Sequence, residues 1–158
     1  MEYTINLLKN SLEWYTVNDG VMGGKSIGKV EKSHDGLLFY GETSLENNGG
    51  FSSVRCKIEK PFQNLKAVEL QFKSDGRTYE VICKQKGSEF AYRAPFKTKS
   101  GVITTVTLTP ADFIASYRGN KIDAPSLGLI ELEEVGVILA DGNPGKFKFQ
   151  LLDLSLIS

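Results

Sequence analysis

Histidine is nearly missing from this chain: His34 is the only one in 158 residues. Cysteine is scarce too, with Cys56 and Cys83 alone. Two thiols and one imidazole cannot make a four-ligand zinc site, and imidazole-based metal catalysis has too few ligands. Both cysteines sit at apolar positions in strand-like runs, so buried free thiols are expected rather than a disulfide. Neither sign of charge is in excess, with Lys plus Arg and Asp plus Glu at 19 each. Nucleic acids and anionic membranes select a positive surplus, so neither is expected as a partner. No apolar run approaches the ~20 residues of a membrane span. The opening MEYTINLLKN has neither the basic-then-apolar order of a secretion signal nor the Arg-rich pattern of a transit peptide, so a cytoplasmic location is expected.

What the chain does have is alternation. Val68, Leu70 and Phe72 alternate with Glu69, Gln71 and Lys73, the period of a strand with one wet face. Residues 78–85 place Tyr79, Val81 and Cys83 together. Residues 89–96 place Phe90, Tyr92, Ala94 and Phe96 opposite Arg93. Residues 51–58 point Val54, Cys56 and Ile58 inward and leave Phe51, Ser53, Arg55 and Lys57 on the other face. Residues 102–108 align Val102, Val106 and Leu108. Residues 135–140 (VGVILA) read as a central strand. In residues 146–157 the phase slips from Phe147, Phe149 and Leu151 to Leu152, Leu154 and Leu156, which predicts a bulge or a change of strand partner. The one helix signal, Thr109-Pro110-Ala111-Asp112, predicts a single short turn. Gly- and Asn-containing turns recur between the strands. The pattern predicts an all-β sandwich or barrel, one domain over 1–158, without internal repeats.

Two glycine-rich stretches stand out, residues 17–24 (VNDGVMGG) and 46–55 (ENNGGFSSVR). A phosphate cradle is rejected for the first. Asp19 stands where a P-loop needs glycine, and a strand rather than a helix follows Gly24-Lys25-Ser26. His34 lies in a polar turn, away from any evident nucleophile. Asp19, Glu46, Asp75 and Asp141 lie beside turns and offer carboxylates for a glycosidase, but turn-forming acids are the commoner case. Asn18 and Asp19 are oxygen ligands suited to calcium, but a side chain capping its own turn explains them equally well. No cofactor or metal is expected. A sugar module would use an aromatic platform, with Trp14, Tyr40, Tyr79, Tyr92 and Phe96 as candidates and Asn47, Asn48 and Arg55 as polar partners. In the second loop, Asn48-Gly49 predicts a tight hairpin. Phe51 and Arg55 share a face that calls for cover by a second layer or a partner.

Taken together, VNDGVMGGKS after Trp14, LENNGGFSSVR, Asp75-Gly76-Arg77-Thr78-Tyr79, Tyr92-Arg93-Ala94-Pro95-Phe96, Tyr117-Arg118-Gly119, Leu139-Ala140-Asp141 and Gly145-Lys146-Phe147 resemble the complex I intermediate-associated protein 30 family. Order and spacing agree along essentially the whole chain. The resemblance implies a galactose-binding-domain-like β-sandwich jelly roll. It also implies a non-catalytic role linked to assembly of respiratory complex I, with respiratory-complex subunits as protein partners. A carbohydrate-binding module is the alternative, and a glycosidase-type enzyme is the least supported. Fold similarity alone does not carry function. The expected binding surface comprises Asn18, Asp19, Met22, Asn47, Asn48, Phe51, Arg55, Arg77 and Tyr79, with Met22 and Phe51 as apolar contacts and the two arginines as bidentate donors. Its competitor is a structural corner in which Asn18 and Asp19 cap a turn and Val21 and Met22 pack inward or against the NNGGF loop. Arg55, off the apolar face, is expected to be dispensable for folding.

Overall fold

The computed structural model describes residues 3–9 and 12–158; the side chains of Val21, Met22 and Asn48 lie outside the described set. Among the described residues, thirteen strands follow in chain order: β1 (Thr4–Asn6), β2 (Trp14–Asn18), β3 (Ile27–Ser33), β4 (Gly36–Thr43), β5 (Ser52–Phe62), β6 (Ala67–Lys73), β7 (Thr78–Gln85), β8 (Ala91–Lys97), β9 (Thr104–Leu108), β10 (Ile114–Tyr117), β11 (Asn120–Lys121), β12 (Leu132–Leu139) and β13 (Gly145–Ile157). A six-stranded sheet runs β3-β4-β13-β6-β9, with β1 beside the end of β13. A seven-stranded sheet runs β11-β10-β8-β7-β12-β5-β2. The paired strands are antiparallel, and neighbours in space are mostly distant in sequence. This is the jelly-roll sandwich.

Alternation built the core. Val68, Leu70 and Phe72 of β6 are fully buried, as are Tyr79, Val81 and Cys83 of β7. Phe72, Phe96, Phe149 and Tyr79 form a cluster of touching rings between the sheets, with centroids 4.7 to 6.4 Å apart, and Phe39 and Phe147 form a separate pair at 4.8 Å. Such offset and edge contacts add to the area these rings bury. Both cysteines are free and buried. Burial pushes the Cys56 thiol up to about 12 and the Cys83 thiol up as well.

The late phase slip is real, and both of its expected causes occur. Register shifts between Leu151 and Asp153, while β13 exchanges β4 for β1 along one edge. Leu152 is half-buried, whereas Leu151, Leu154 and Leu156 are in the core. The predicted helical turn is a 3-10 turn over Pro110–Asp112, closed by a capping box between Thr109 and Asp112. Several strand boundaries differ from expectation: β8 begins at Ala91, β12 begins at Leu132, and β9 begins at Thr104, with Val102 48% exposed in the preceding loop.

Candidate functional site

The two glycine-rich stretches meet around one buried carboxylate. Asp19, 1% exposed, opens a 3-10 turn over Asp19–Met22. Its side chain does not cap that turn. It accepts hydrogen bonds from the Ser26 backbone N–H (2.8 Å), the Ser26 hydroxyl (2.6 Å), the Gly50 N–H (2.6 Å) and the Phe51 N–H (3.3 Å). Burial pushes its carboxyl upward, but the donors of Ser26, Gly50 and Phe51 together outweigh burial and hold it below the usual range. The glycines leave room for it: a Cβ on Gly24 or Gly49 would collide with the Asp19 carboxylate. The expected Asn-Gly hairpin is instead a 3-10 turn over Glu46–Asn48, with left-handed backbone at Asn47 (φ 56°). Asn18 accepts from the Ser52 hydroxyl at 2.5 Å, across the β2–β5 pair.

A second corner is built on Arg77. Its guanidinium chelates Asp141 through Nε (2.9 Å) and Nη2 (2.7 Å). It also donates to the carbonyls of Asn143 and Gly145 and to the Thr43 hydroxyl. The Asp141 hydrogen bonds and charge keep the guanidinium above its ordinary value. Burial pushes the Asp141 carboxyl up, but Arg77 and Asn143 bring it lower overall. Tyr79 is fully buried, with its hydroxyl donating to Asp75 Oδ2 at 2.9 Å. Asp75 also accepts from the backbone N–H of Arg77 and of Lys148. The predicted surface therefore separates into parts. Asp19 and Tyr79 are interior, Arg77 is saturated by its clamp, Asn18 is tied to Ser52, Asn47 is exposed and Phe51 half-buried. The Met22 and Asn48 side chains lie outside the described residues.

Arg55 belongs to a different surface, the face of the seven-stranded sheet turned away from the core. One row across that face reads Ile114, Arg93, Ile82, Gly136, Arg55, Tyr15 on β10, β8, β7, β12, β5 and β2. The next includes Pro95, Glu80, Ile138, Ser53 and Val17. Ile82 and Ile138 are 5% and 3% exposed, yet neither belongs to the core between the sheets. Arg55 donates from Nε to the Ser53 hydroxyl (2.8 Å) and pairs with Glu134 at 3.7 Å. Tyr15 donates to the same Glu134, and Arg93 pairs with Glu80. The Arg55 and Glu134 side chains are only 11% and 14% exposed. Burial, then Glu134, raises the Tyr15 phenol; burial lowers Arg55, against the pull of Glu134. The Arg55 stem lies over Gly136, where a Cβ would strike it. Sequence reasoning missed Tyr15, Glu80, Arg93 and Glu134. Their signal was charge on the wet phase of strands whose neighbours on that phase are Ile82 and Ile138.

Chemically, this face offers paired guanidinium and carboxylate groups, preorganised over apolar ground. Among the described residues no cluster of three or more His, Cys, Asp or Glu is arranged to hold a metal ion. No described helix is long and apolar enough to cross a membrane. Of the sugar platforms expected, Tyr79, Tyr92 and Phe96 are in the core and Trp14 packs against it; Tyr40 stays half-exposed on the other sheet.

Similar architectures occur among solved structures. The family 11 carbohydrate-binding module of a cellulosomal cellulase of Clostridium thermocellum matches with a TM-score of 0.68 at 14% identity, covering 99% of this chain and 94% of the module. The Clostridium thermocellum family 11 module in complex with a β-1,3-1,4-mixed-linked tetrasaccharide matches at 0.63 and 14% identity, covering 98% and 94%. A family 29 carbohydrate-binding module variant complexed with cellulohexaose matches at 0.61 and 8% identity, covering 99% and 91%. At these identities the likeness is one of fold. No curated protein sequence matches this chain. The model of the complex I intermediate-associated protein 30 family matches residues 4–151, nearly the whole length. The chain belongs to the complex I intermediate-associated protein 30 family.

Proposed function

We propose that this protein is a non-catalytic binding module, an assembly or chaperone-like factor that engages a protein partner, with subunits of a respiratory complex as the class its family name suggests. The observation that carries this reading is the face built on Arg55, Arg93 and Tyr15. Interfaces draw most of their energy from Tyr and Arg side chains seated in desolvated surroundings. Here such side chains are already ordered by Glu134, Glu80 and Ser53. The surroundings of the acids support a binding rather than a catalytic role. Asp19, Asp75 and Asp141 are each occupied by structural donors, and His34 is exposed in a turn.

A second reading, carbohydrate binding, draws on the same face. Adjacent donors and acceptors of paired Arg and Glu match hydroxyls, which both give and accept hydrogen bonds. The similar modules named above include two solved with oligosaccharides.

The test compares wild type with an Arg93→Gln, Glu80→Gln double variant in a pull-down from the native host, alongside a thermal-shift panel of neutral oligosaccharides. The double change removes both charges of the Arg93–Glu80 pair together and leaves neither unpaired, so folding should stay intact. A protein retained by wild type and lost by the variant is the expected result. Retention by both overturns the assignment to this face. A sugar-dependent rise in melting temperature that the variant lacks moves the conclusion to the second reading.

A further inference from the structure

Each edge strand of an open sheet turns every second N–H and C=O away from its one neighbour. Natural proteins blunt such edges with charge, shortness or cover. Most edges here follow that rule. β3 carries Lys29, Glu31 and Lys32. β1 and β11 are three and two residues long. β2 lies against β3 of the other sheet, so closely that a Cβ on Gly28 would strike the Ser52 hydroxyl. β9 is the exception. It pairs with β6 along one side, and among the described residues no backbone group outside β6 bonds to Thr104–Leu108. No charged residue stands between Lys99 and Asp112, and from Val102 to Thr109 every residue but Leu108 is β-branched. Thr105 and Thr107 are exposed, Val106 packs against the core, and Ile103, just before the strand, is 60% exposed. The segment thus combines high strand propensity with none of the devices that keep strands apart.

We propose that this edge pairs, antiparallel, with the same edge of a second copy of the chain, joining two six-stranded sheets into one. A row of unpaired N–H and C=O groups selects an extended backbone. The neutrality of the row selects a second copy, because an edge of one charge sign would meet repulsion in its own image. A two-fold axis through Val106 matches all five residues of β9 and keeps the core-facing side chains on one side. Thr105 then lies opposite Thr107 of the second copy, a favourable kind of cross-strand pair. The contact consumes both open edges, so the assembly closes at two. Such a rotation turns both Arg55 faces the same way, so a partner meets two copies of the surface proposed above. That consequence rests on the proposed function; the dimer itself does not.

The experiment is sedimentation velocity of the full chain over a rising concentration series, with amide hydrogen exchange at both ends of the series. The expected result is a concentration-dependent dimer, with the β9 amides that point away from β6 slowing as it forms. Two variants test the register. Thr105→Lys, Thr107→Lys sets lysine against lysine in both cross-strand pairs and should weaken the dimer by about tenfold or more. Thr105→Glu, Thr107→Lys sets opposite charges together and should keep it. In both, the lysine at position 107 stands beside Glu69 of β6, so the melting temperature of the monomer should hold. Should either variant fail to fold, the wild-type exchange pattern decides. A monomer throughout, up to about 1 mM, overturns the proposal. So does a dimer that both variants keep or both lose, exchange that slows elsewhere than β9, or open-ended association in place of a closed pair. Any of these with a host protein still held through Arg93 and Glu80 would leave the proposed function standing.

Discussion

Asp19 is the residue on which most of the chain's unusual sequence converges. Its four donors come from Ser26, Gly50 and Phe51, and Gly24 and Gly49 are bare so that it fits. Truncation to Ala would leave those donors buried without an acceptor, at about 1–3 kcal/mol each, so a loss of at least ~3 kcal/mol is expected in urea unfolding. The acid response has a defined sign. Because the folded carboxyl lies below its unfolded value of about 3.9, its stabilisation is complete above that value and is lost as pH falls through the folded one. Asp19→Asn should therefore unfold more easily at neutral pH and show a shallower further decline below about pH 4; parallel curves for the two proteins would show that Asp19 does not titrate as described. Arg55 reverses its sequence-based expectation. Alternation placed it off the core, which is right, but the outer face is itself packed, and Arg55 is paired and only 11% exposed. Arg55→Ala should cost about 1–3 kcal/mol by removing the cation paired with the largely buried Glu134. A denaturation midpoint equal to that of wild type would count against this.

Strands were the most legible elements, because a period of two requires nothing beyond the local order of residues. β6 and β7 fall where Val68, Leu70, Phe72 and Tyr79, Val81, Cys83 alternate. Leu70 is 0% exposed at the centre of β6, so Leu70→Ala should destabilise by roughly 2–5 kcal/mol. The equivalent change at Val102, outside β9, should have little effect on the melting temperature. A similar loss at both positions would mean that the loop before β9 is as tightly packed as the core. The bulge in β13 was visible as a phase slip, since one extra residue reverses which side chains face inward. Turn conformation was less visible. Asn48-Gly49 looks like a hairpin turn, yet Asn47 takes the left-handed position, in a loop whose Gly50 N–H is bonded to Asp19.

For the whole molecule, two sheets share one continuous core that encloses both cysteines. Thiol reagents should label neither Cys56 nor Cys83 in the native protein and both in denaturant, with labelling rate tracking global unfolding; fast native labelling of either would contradict its burial. The sequence by itself determined which residues are apolar, in what period, and which motifs the chain shares with its family. The first two suffice for strands, for buried thiols and for an all-β sandwich or barrel, since each follows from local order and hydrophobicity, while the choice of a jelly-roll sandwich rested on the family motifs. Tertiary structure alone decided where the polar groups go. Arg77 meets Asp141 across 64 positions, and Arg55 meets Glu134 across the β5–β12 pair. Hydrogen bonds and charge pairs are short-ranged, so their partners follow from strand order, and strand order in a jelly roll is set by long-range pairing that no local period records.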